Sequence, residues 1–323
     1  MSFRIAKQPA LFTLVSLCFI ATSLKADPVK YCRFQLGDTI AYGIVEGGVV
    51  RELSGDLFGE WKKTDKTHPL KKVKLLLPSE PKHVFAMAGN YRSHLSDENK
   101  VTTIIKTETQ VTNDLKTGET TSKTKSNTET RRSGEVPELF KTPQPFFKSP
   151  SSLLAQGGEI LLPADASEVH FEAEMVVVIC KTAKNVSKEG ALDCVLGVTC
   201  GNDISARVWQ KGDVQWWRAK ASDTFGPCGP VILSGINYDD VDLELRLNGE
   251  VKQKENTGQM IHDVASTVSF ISKHVTLQPG DLIFTGTPGE TSEIKHGDVV
   301  EVEIEGVGVL RNKVVAVEQL ESK

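Results

Sequence analysis

The stretch Val169-His170-Phe171-Glu172-Ala173-Glu174-Met175-Val176-Val177-Val178-Ile179 decides the reading of this chain, because it joins two acids to a near-continuous apolar run of strand length. Such a run does not alternate between apolar and polar residues, so it belongs to a strand covered on both faces. Residues two apart on a strand share a face, so Glu172 and Glu174 are expected to project together at the mouth of that strand. Neighbouring carboxylates repel and raise each other's pKa unless a cation lies between them. A second run, Cys194-Val195-Leu196-Gly197-Val198-Thr199-Cys200, ends in Gly201-Asn202-Asp203 and brings a third acid to the end of a buried strand. Three carboxylates suit a hard, oxygen-preferring cation: Mg²⁺, Mn²⁺ or Ca²⁺. A Glu-x-Glu pair alone carries little weight. Val300, Val302 and Ile304 alternate with Glu301, Glu303 and Glu305, which is the ordinary half-exposed strand.

Outward from these runs the signals remain mostly those of strands. Residues 39–45 and Val49-Val50 flank Glu46-Gly47-Gly48, a hairpin signal within a small β-rich N-terminal module. Ile261, Val264, Val268 and Ile271 recur at helical spacing and predict one amphipathic helix. Pro279-Gly280-Asp281 turns into the apolar Leu282-Ile283-Phe284. Many strands and few helices imply a strand-rich α+β fold. Between Thr102 and Thr130 the composition shifts to Thr, Lys, Ser, Glu and Asn, which buries too little to offset ordering entropy. That segment is expected to be a mobile surface loop or a long polar hairpin.

The 323 residues carry 38 Lys and Arg against 42 Asp and Glu, a net charge of −4. No basic excess points to nucleic acid or to an anionic membrane face. The first 26 residues hold Arg4, Lys7 and Lys25 with no acid, around an apolar run from Leu11 to Leu24. This reads as a secretory signal, too short to span a bilayer, so the mature chain is expected to be exported and free of the membrane; the alternative is an uncleaved anchor or a mitochondrial presequence. Five cysteines follow it (Cys32, Cys180, Cys194, Cys200 and Cys228) without CxxC or zinc-finger spacing. No GxSxG elbow is present, and Gly306-Val307-Gly308 has Arg311 where a dinucleotide fingerprint needs its third glycine.

Six ordered segments carry a resemblance. They are Gly89-Asn90-Tyr91-Arg92-Ser93-His94, Phe146-Phe147-Lys148-Ser149-Pro150, Phe171-Glu172-Ala173-Glu174, Gly201-Asn202-Asp203-Ile204-Ser205-Ala206-Arg207, Lys220 ahead of Asp223-Thr224-Phe225-Gly226-Pro227, and Pro279-Gly280-Asp281 followed by Thr285-Gly286-Thr287-Pro288. From about residue 81 to 316 the chain resembles the fumarylacetoacetate hydrolase family. The resemblance implies a mixed β-roll core, a homodimer, and Mg²⁺ or Mn²⁺ held by Glu172, Glu174 and Asp203. It places Tyr91, Arg207, Gln210 and Thr287 around the substrate and Lys220 among the catalytic groups. The implied organisation is a signal at 1–26, the N-terminal module at 27–80 and a catalytic domain at 81–323 with a polar insertion at about 99–140.

Members of this family cleave, decarboxylate or isomerise 2-oxo acids and their enols. A 2-oxo acid can chelate a divalent cation, which stabilises the enolate that cleavage of the adjacent C–C bond generates. His94 is the candidate base for activating water, since an imidazole exchanges protons near neutral pH. The family's partner acid lies three residues on, at Asp97, with Glu98 next. Asp97 is shorter than the usual glutamate, and Thr287-Pro288 continues as Gly289-Glu290-Thr291 rather than the usual Gly-Val-Gly. The leading expectation is a metal-dependent hydrolase of C–C bonds in diketo acids of acylpyruvate or fumarylacetoacetate type. The alternatives are a decarboxylase or keto-enol isomerase on the same site, and an exported non-catalytic binding module.

Overall fold

The computed structural model describes residues 27–95, 102–113, 120–131 and 136–317. The expected signal at 1–26 lies outside the described residues, as do Asp97 and Glu98. In chain order the strands begin with β1 (Val29–Leu36), β2 (Thr39–Glu46), β3 (Val49–Gly55), β4 (Trp61–Pro69), β5 (Lys74–Leu75) and β6 (Val84–Met87). The short helix α1 (Arg92–Leu95) precedes a hairpin of β7 (Thr102–Asn113) and β8 (Thr120–Arg131). Next come β9 (Pro145–Lys148), β10 (Leu153–Leu154), β11 (Glu159–Leu162), β12 (Val169–His170) and β13 (Ala173–Ile179). Helix α2 (Lys188–Ala191), β14 (Val195–Asn202), β15 (Ser205–Ala206), α3 (Arg207–Gly212) and α4 (Trp217–Ala221) lead to β16 (Gly226–Ser234). The chain closes with β17 (Asp242–Leu247), β18 (Glu250–Asn256), α5 (Val264–His274), β19 (Leu282–Phe284), β20 (Val299–Ile304) and β21 (Gly308–Ala316).

The main path of the large sheet runs β4-β3-β2-β1-β16-β14-β13-β19-β6-β9, and a second sheet runs β11-β21-β20-β17-β18. Strand β13 is buried along its whole length for the reason its sequence suggests. Met175, Val177 and Ile179 enter one core cluster, shared with Leu243, Leu245, Val302 and Ile304 of the second sheet. Val176 and Val178 enter another, shared with Ile44 and Leu53 of the N-terminal strands and Phe284 of β19. The N-terminal strands extend the same sheet through antiparallel pairing of β1 with β16. Their hairpin turns at Gly47-Gly48, where Gly47 adopts φ +62°, a conformation that costs glycine little.

Helix α5 starts three residues later than the periodicity beginning at Ile261 implies. Asp263 caps it, its carboxylate accepting the Ser266 N–H at 2.7 Å, and capping fixes a helix start more sharply than an apolar stripe. The polar segment is a hairpin: all twelve residues of β7 pair with β8, and neither pairs with any other described strand. Its described side chains at 107, 109–111 and 121–126 are exposed.

One buried acid fastens the parallel pair β6 and β19. Asp281, fully buried, accepts the N–H groups of Lys82 (3.0 Å), His83 (2.8 Å) and Gln278 (2.8 Å), and contacts His83 Nδ1 at 2.8 Å. Residues about two hundred positions apart are thereby locked in register, Leu282 opposite Val84. Asp281→Ala leaves these part-buried donors unpaired, and denaturant unfolding should show a loss of about 3 kcal/mol or more, whereas a loss under about 1 kcal/mol would contradict this role. Replacing residues 102–131 by a short Gly/Ser linker should change stability by under about 0.5 kcal/mol, as for ordinary surface changes. A loss of about 3 kcal/mol would show that the hairpin supports the core.

Candidate active site

Antiparallel pairing of β13 with β14 sets Ala173 opposite Asn202 and Glu174 opposite Gly201. Just beyond the ladder the Asp203 N–H donates to the Glu172 carbonyl at 2.8 Å, and the Asn202 side chain accepts the Glu172 N–H at 2.9 Å. The two acid-bearing segments are therefore tied by backbone geometry before any side chain acts. Glu172, Glu174 and Asp203 are all buried, and each offers a carboxylate oxygen within 4.8 Å of the others.

Three cations compensate for this charge. Arg207 reaches Glu172 Oε1 at 2.6 Å, and Lys220 bridges Glu172 Oε2 at 2.7 Å and Asp203 Oδ2 at 2.8 Å. Lys148 holds Asp203 Oδ1 at 2.6 Å and donates to the carbonyls of Phe225 (3.1 Å) and Lys220. An ammonium has three N–H donors. Lys148 therefore uses all of its donors inside the protein, whereas Lys220 has one left among the described residues and also lines the cavity. Glu174 makes no ion pair among the described residues and accepts the Gly286 N–H at 2.7 Å. Gly286 serves this contact because it adopts φ +96° and a Cβ there would sit 2.8 Å from Asn90 Cβ.

The electrostatics separate the two glutamates. Burial acts to raise the pKa of Glu172, but Lys220, Arg207 and His94 outweigh it and hold the group at about 2. Burial, followed by the charges of Asp203 and Glu172, pushes Glu174 well above the ordinary carboxyl value. Burial opposes the charge on Lys220, yet Asp203 and Glu172 keep its pKa above the usual lysine value. At Lys148 burial prevails over Asp203 and lowers the pKa. A buried carboxylate without a cationic partner, inside an all-oxygen donor set, fits a hard divalent cation.

Of the three carboxylates, Glu172 lines a cavity of about 190 Å³, and Glu174 and Asp203 lie behind it. Its polar wall includes His94, Glu172, Arg207, Gln210, Lys220 and Thr287, and Phe140, Phe146 and Trp216 form an aromatic side. Half-buried His94 bonds the Gly289 carbonyl through Nδ1 at 2.7 Å. A neutral ring donating from Nδ1 leaves Nε2 as a proton acceptor. Arg207 is aimed by Gln210 Oε1 and Thr291 Oγ1, both at 2.8 Å. Thr291 belongs to the segment where the sequence departs from the family pattern. Tyr91 differs from its expected substrate-facing position: it is fully buried and absent from the cavity wall, because its backbone bridges to Met260 and its ring is taken into the interior.

Two supporting residues were given no role by the sequence. Lys148 had a readable signal, a lone charge two residues from Phe146 on a short apolar strand. Gln253 had none, since Val251-Lys252-Gln253-Lys254 looks like any exposed edge. It is buried, donating to Thr287 Oγ1 at 2.9 Å and accepting the Ala173 N–H at 3.0 Å, and so joins the 285–288 turn to the start of β13.

Residues 84–315 match the family model described as fumarylacetoacetate (FAA) hydrolase C-terminal, and residues 29–78 match one described as Rv2993c-like, N-terminal. Protein Rv2993c of Mycobacterium tuberculosis is 36% identical over 288 residues, 86% of this chain and 95% of that one. The mitochondrial oxaloacetate tautomerase fahd2 of Xenopus laevis is 38% identical over 187 residues, 54% of this chain and 59% of that one. Among solved structures, 2-hydroxyhepta-2,4-diene-1,7-dioate isomerase from Mycobacterium marinum superposes with a TM-score of 0.73 at 35% identity, covering 90% of this chain and 100% of that one.

The opposed shifts predict opposite stability effects when divalent cations are chelated. Glu172, depressed on folding, stabilises above its ordinary pKa of 4.5, and that contribution is lost as pH falls towards 2. For Glu174, raised on folding, the contribution is complete below 4.5 and is lost as pH rises. At neutral pH with EDTA, Glu172→Gln should therefore cost about 3 kcal/mol and Glu174→Gln should raise the melting temperature. Shifts of the same sign in thermal unfolding would contradict the arrangement.

Proposed function

Because the chain belongs to the fumarylacetoacetate hydrolase family, whose members are hydrolases, isomerases and tautomerases, we propose that it is a divalent-cation-dependent hydrolase of a C–C bond in diketo acids of acylpyruvate type. The observation that carries this reading is the buried carboxylate triad whose Glu172 lines a cavity together with His94, Arg207 and Lys220. Glu172, Glu174 and Asp203 would hold Mg²⁺ or Mn²⁺. When bound, the cation supplies Lewis acidity to the 2-oxo carboxylate end of the substrate and stabilises the enolate left by cleavage.

The remaining work falls to side chains. His94 Nε2 takes a proton from water, which adds to the distal carbonyl of the diketo acid. The Nδ1 contact with the Gly289 carbonyl fixes the ring for that role. On the sequence alone, Asp97 or Glu98 is the partner acid, and with Nδ1 held by Gly289 it would orient the attacking water. The free N–H of Lys220 and the Arg207 guanidinium supply positive charge where the substrate's oxygens gather. Export through residues 1–26 and homodimerisation form part of the proposal, and neither is needed for the chemistry.

Isomerisation is the second reading, favoured by the M. marinum isomerase and the X. laevis tautomerase among the similar proteins. It needs proton transfer but no attacking water, and His94 could serve it as well. Product analysis after incubation with Mg²⁺ and a panel of diketo acids and oxaloacetate separates the two. Cleavage to pyruvate and a carboxylic acid is expected, and tautomerised products alone would favour the second reading.

Two variants test the assigned roles. Asp203→Ala should abolish the single Mn²⁺ site per chain in calorimetric titration, and unchanged affinity would contradict the ligand set. His94→Ala should leave Mn²⁺ binding intact while lowering kcat on cleaved diketo acids by about 10²- to 10⁴-fold, as for loss of a general base. Equal turnover by His94→Ala and the parent would remove the water-activation role.

A further inference from the structure

A second cavity, of about 390 Å³, adjoins the first and is lined by Phe146, Phe147, Val214, Gln215, Trp216 and Trp217. Phe146 and Trp216 line both cavities, so the two share one wall. Their rings meet edge to face, with centroids 5.3 Å apart, and the Lys220 ammonium lies 5.5 Å from the Phe146 centroid. The aromatic wall thus stands on the cationic floor of the catalytic site. Strand β9 supplies one side of the groove, and the turn from α3 into α4 supplies the other. Its rim is unusually apolar for solvent-facing surface: Phe147 is 59% exposed, Trp217 69% and Val214 fully.

We propose that this groove receives the distal acyl group of the substrate, so that the enzyme selects acylpyruvates whose acyl end is bulky and uncharged, an aryl group or a medium-length hydrocarbon. The inference rests on the reading above and specifies its substrate class. Three observations support it. The catalytic cavity alone is smaller than the roughly 300 Å³ at which ligand pockets usually begin, and the groove supplies the missing space. None of the six groove residues is charged; Lys220, with a donor to spare, lines the catalytic cavity and not the groove, and Lys148 and Arg218 are engaged. Lys148 is buried against Asp203, and Arg218 is held by Asp213 through contacts of 2.7 and 2.8 Å. A second carboxylate would therefore find no counter-charge there, whereas a hydrocarbon would cover exposed aromatic surface.

The groove meets the catalytic cavity at Phe146 and Trp216. A diketo acid held at the triad by its carboxylate and 2-oxo oxygens would direct its C4 substituent away from the carboxylates. Water adds to the C4 carbonyl, the C3–C4 bond breaks with its electron pair passing to the pyruvate enolate, and a proton then gives pyruvate. The other product is the carboxylic acid that carries the acyl chain, so the groove would bind the part of the substrate that distinguishes one acylpyruvate from another.

The test separates affinity from turnover. In His94→Ala protein loaded with Mn²⁺, calorimetry should show benzoylpyruvate and heptanoylpyruvate binding about tenfold or more tighter than acetylpyruvate, the scale expected for burying one apolar side-chain-sized group. Succinylpyruvate, which ends in a carboxylate, should gain nothing over acetylpyruvate. Trp217→Ala and Val214→Asp should bring the benzoyl-to-acetyl affinity ratio close to one, and Trp217→Phe should keep most of it. Equal affinities across the series would overturn the inference whatever the enzyme cleaves. An unchanged ratio in Trp217→Ala would also overturn it, and loss of a dimer in sedimentation of that variant would assign the groove to contact between copies. Cleavage of acetylpyruvate by the parent enzyme reports separately on the hydrolase reading.

Discussion

Three carboxylates buried at one end of a β-ladder are the constraint around which this molecule is organised. Isolated buried charge is costly, and it is tolerated only where opposite charge and hydrogen bonds replace the lost water. Here the compensation comes from separate parts of the chain: Lys148 on β9, Arg207 on α3, Lys220 on α4 and the Gly286 N–H after β19. Each element must be in place before the cluster is satisfied, so the fold and the site are one problem. The imbalance left at Glu174 has a chemical reading as well as an energetic one. A divalent cation there would keep that carboxylate ionised and would convert a repulsive pair into a ligand set.

The same logic divides the lysines. Lys148, with every N–H satisfied by protein, neutralises and positions Asp203 but has nothing left for a substrate. Lys220 faces the cavity with one donor to spare, and Arg207 is aimed into place by Gln210 and Thr291. A site that reads as a dense salt-bridge cluster therefore contains a supporting layer and a reactive layer. Donor counting distinguishes them where charge alone does not.

Much of this was legible in the sequence wherever the signal was local. The unbroken apolar runs of β13 and β14 announced two-sided burial, because a strand with one wet face must alternate. Val300, Val302 and Ile304 alternate with glutamates, and all three are buried. The Glu-x-Glu pair and Asp203 were found because acids at the ends of buried strands are conspicuous. Partnership over long separations was not legible. Nothing local to Asp281 says that it binds Lys82 and His83, and nothing in the β18 sequence says that Gln253 is buried. Tyr91 shows the converse limit: membership in a motif placed it near the site, but only the backbone bridge to Met260 shows that its ring is interior. For the polar segment, composition left a loop and a hairpin equally open, since neither needs a buried face.

The central claim is that Glu172, Glu174 and Asp203 together hold one divalent cation on which the chemistry depends. Crystals of the full chain grown with MnCl₂, measured at the manganese absorption edge, test it most directly. The account predicts a single strong anomalous peak per chain within bonding distance of an oxygen from each of the three carboxylates, with Lys220 displaced from at least one of them. A peak ligated elsewhere, or no peak while the Lys220 bridges to Glu172 and Asp203 persist, would contradict it.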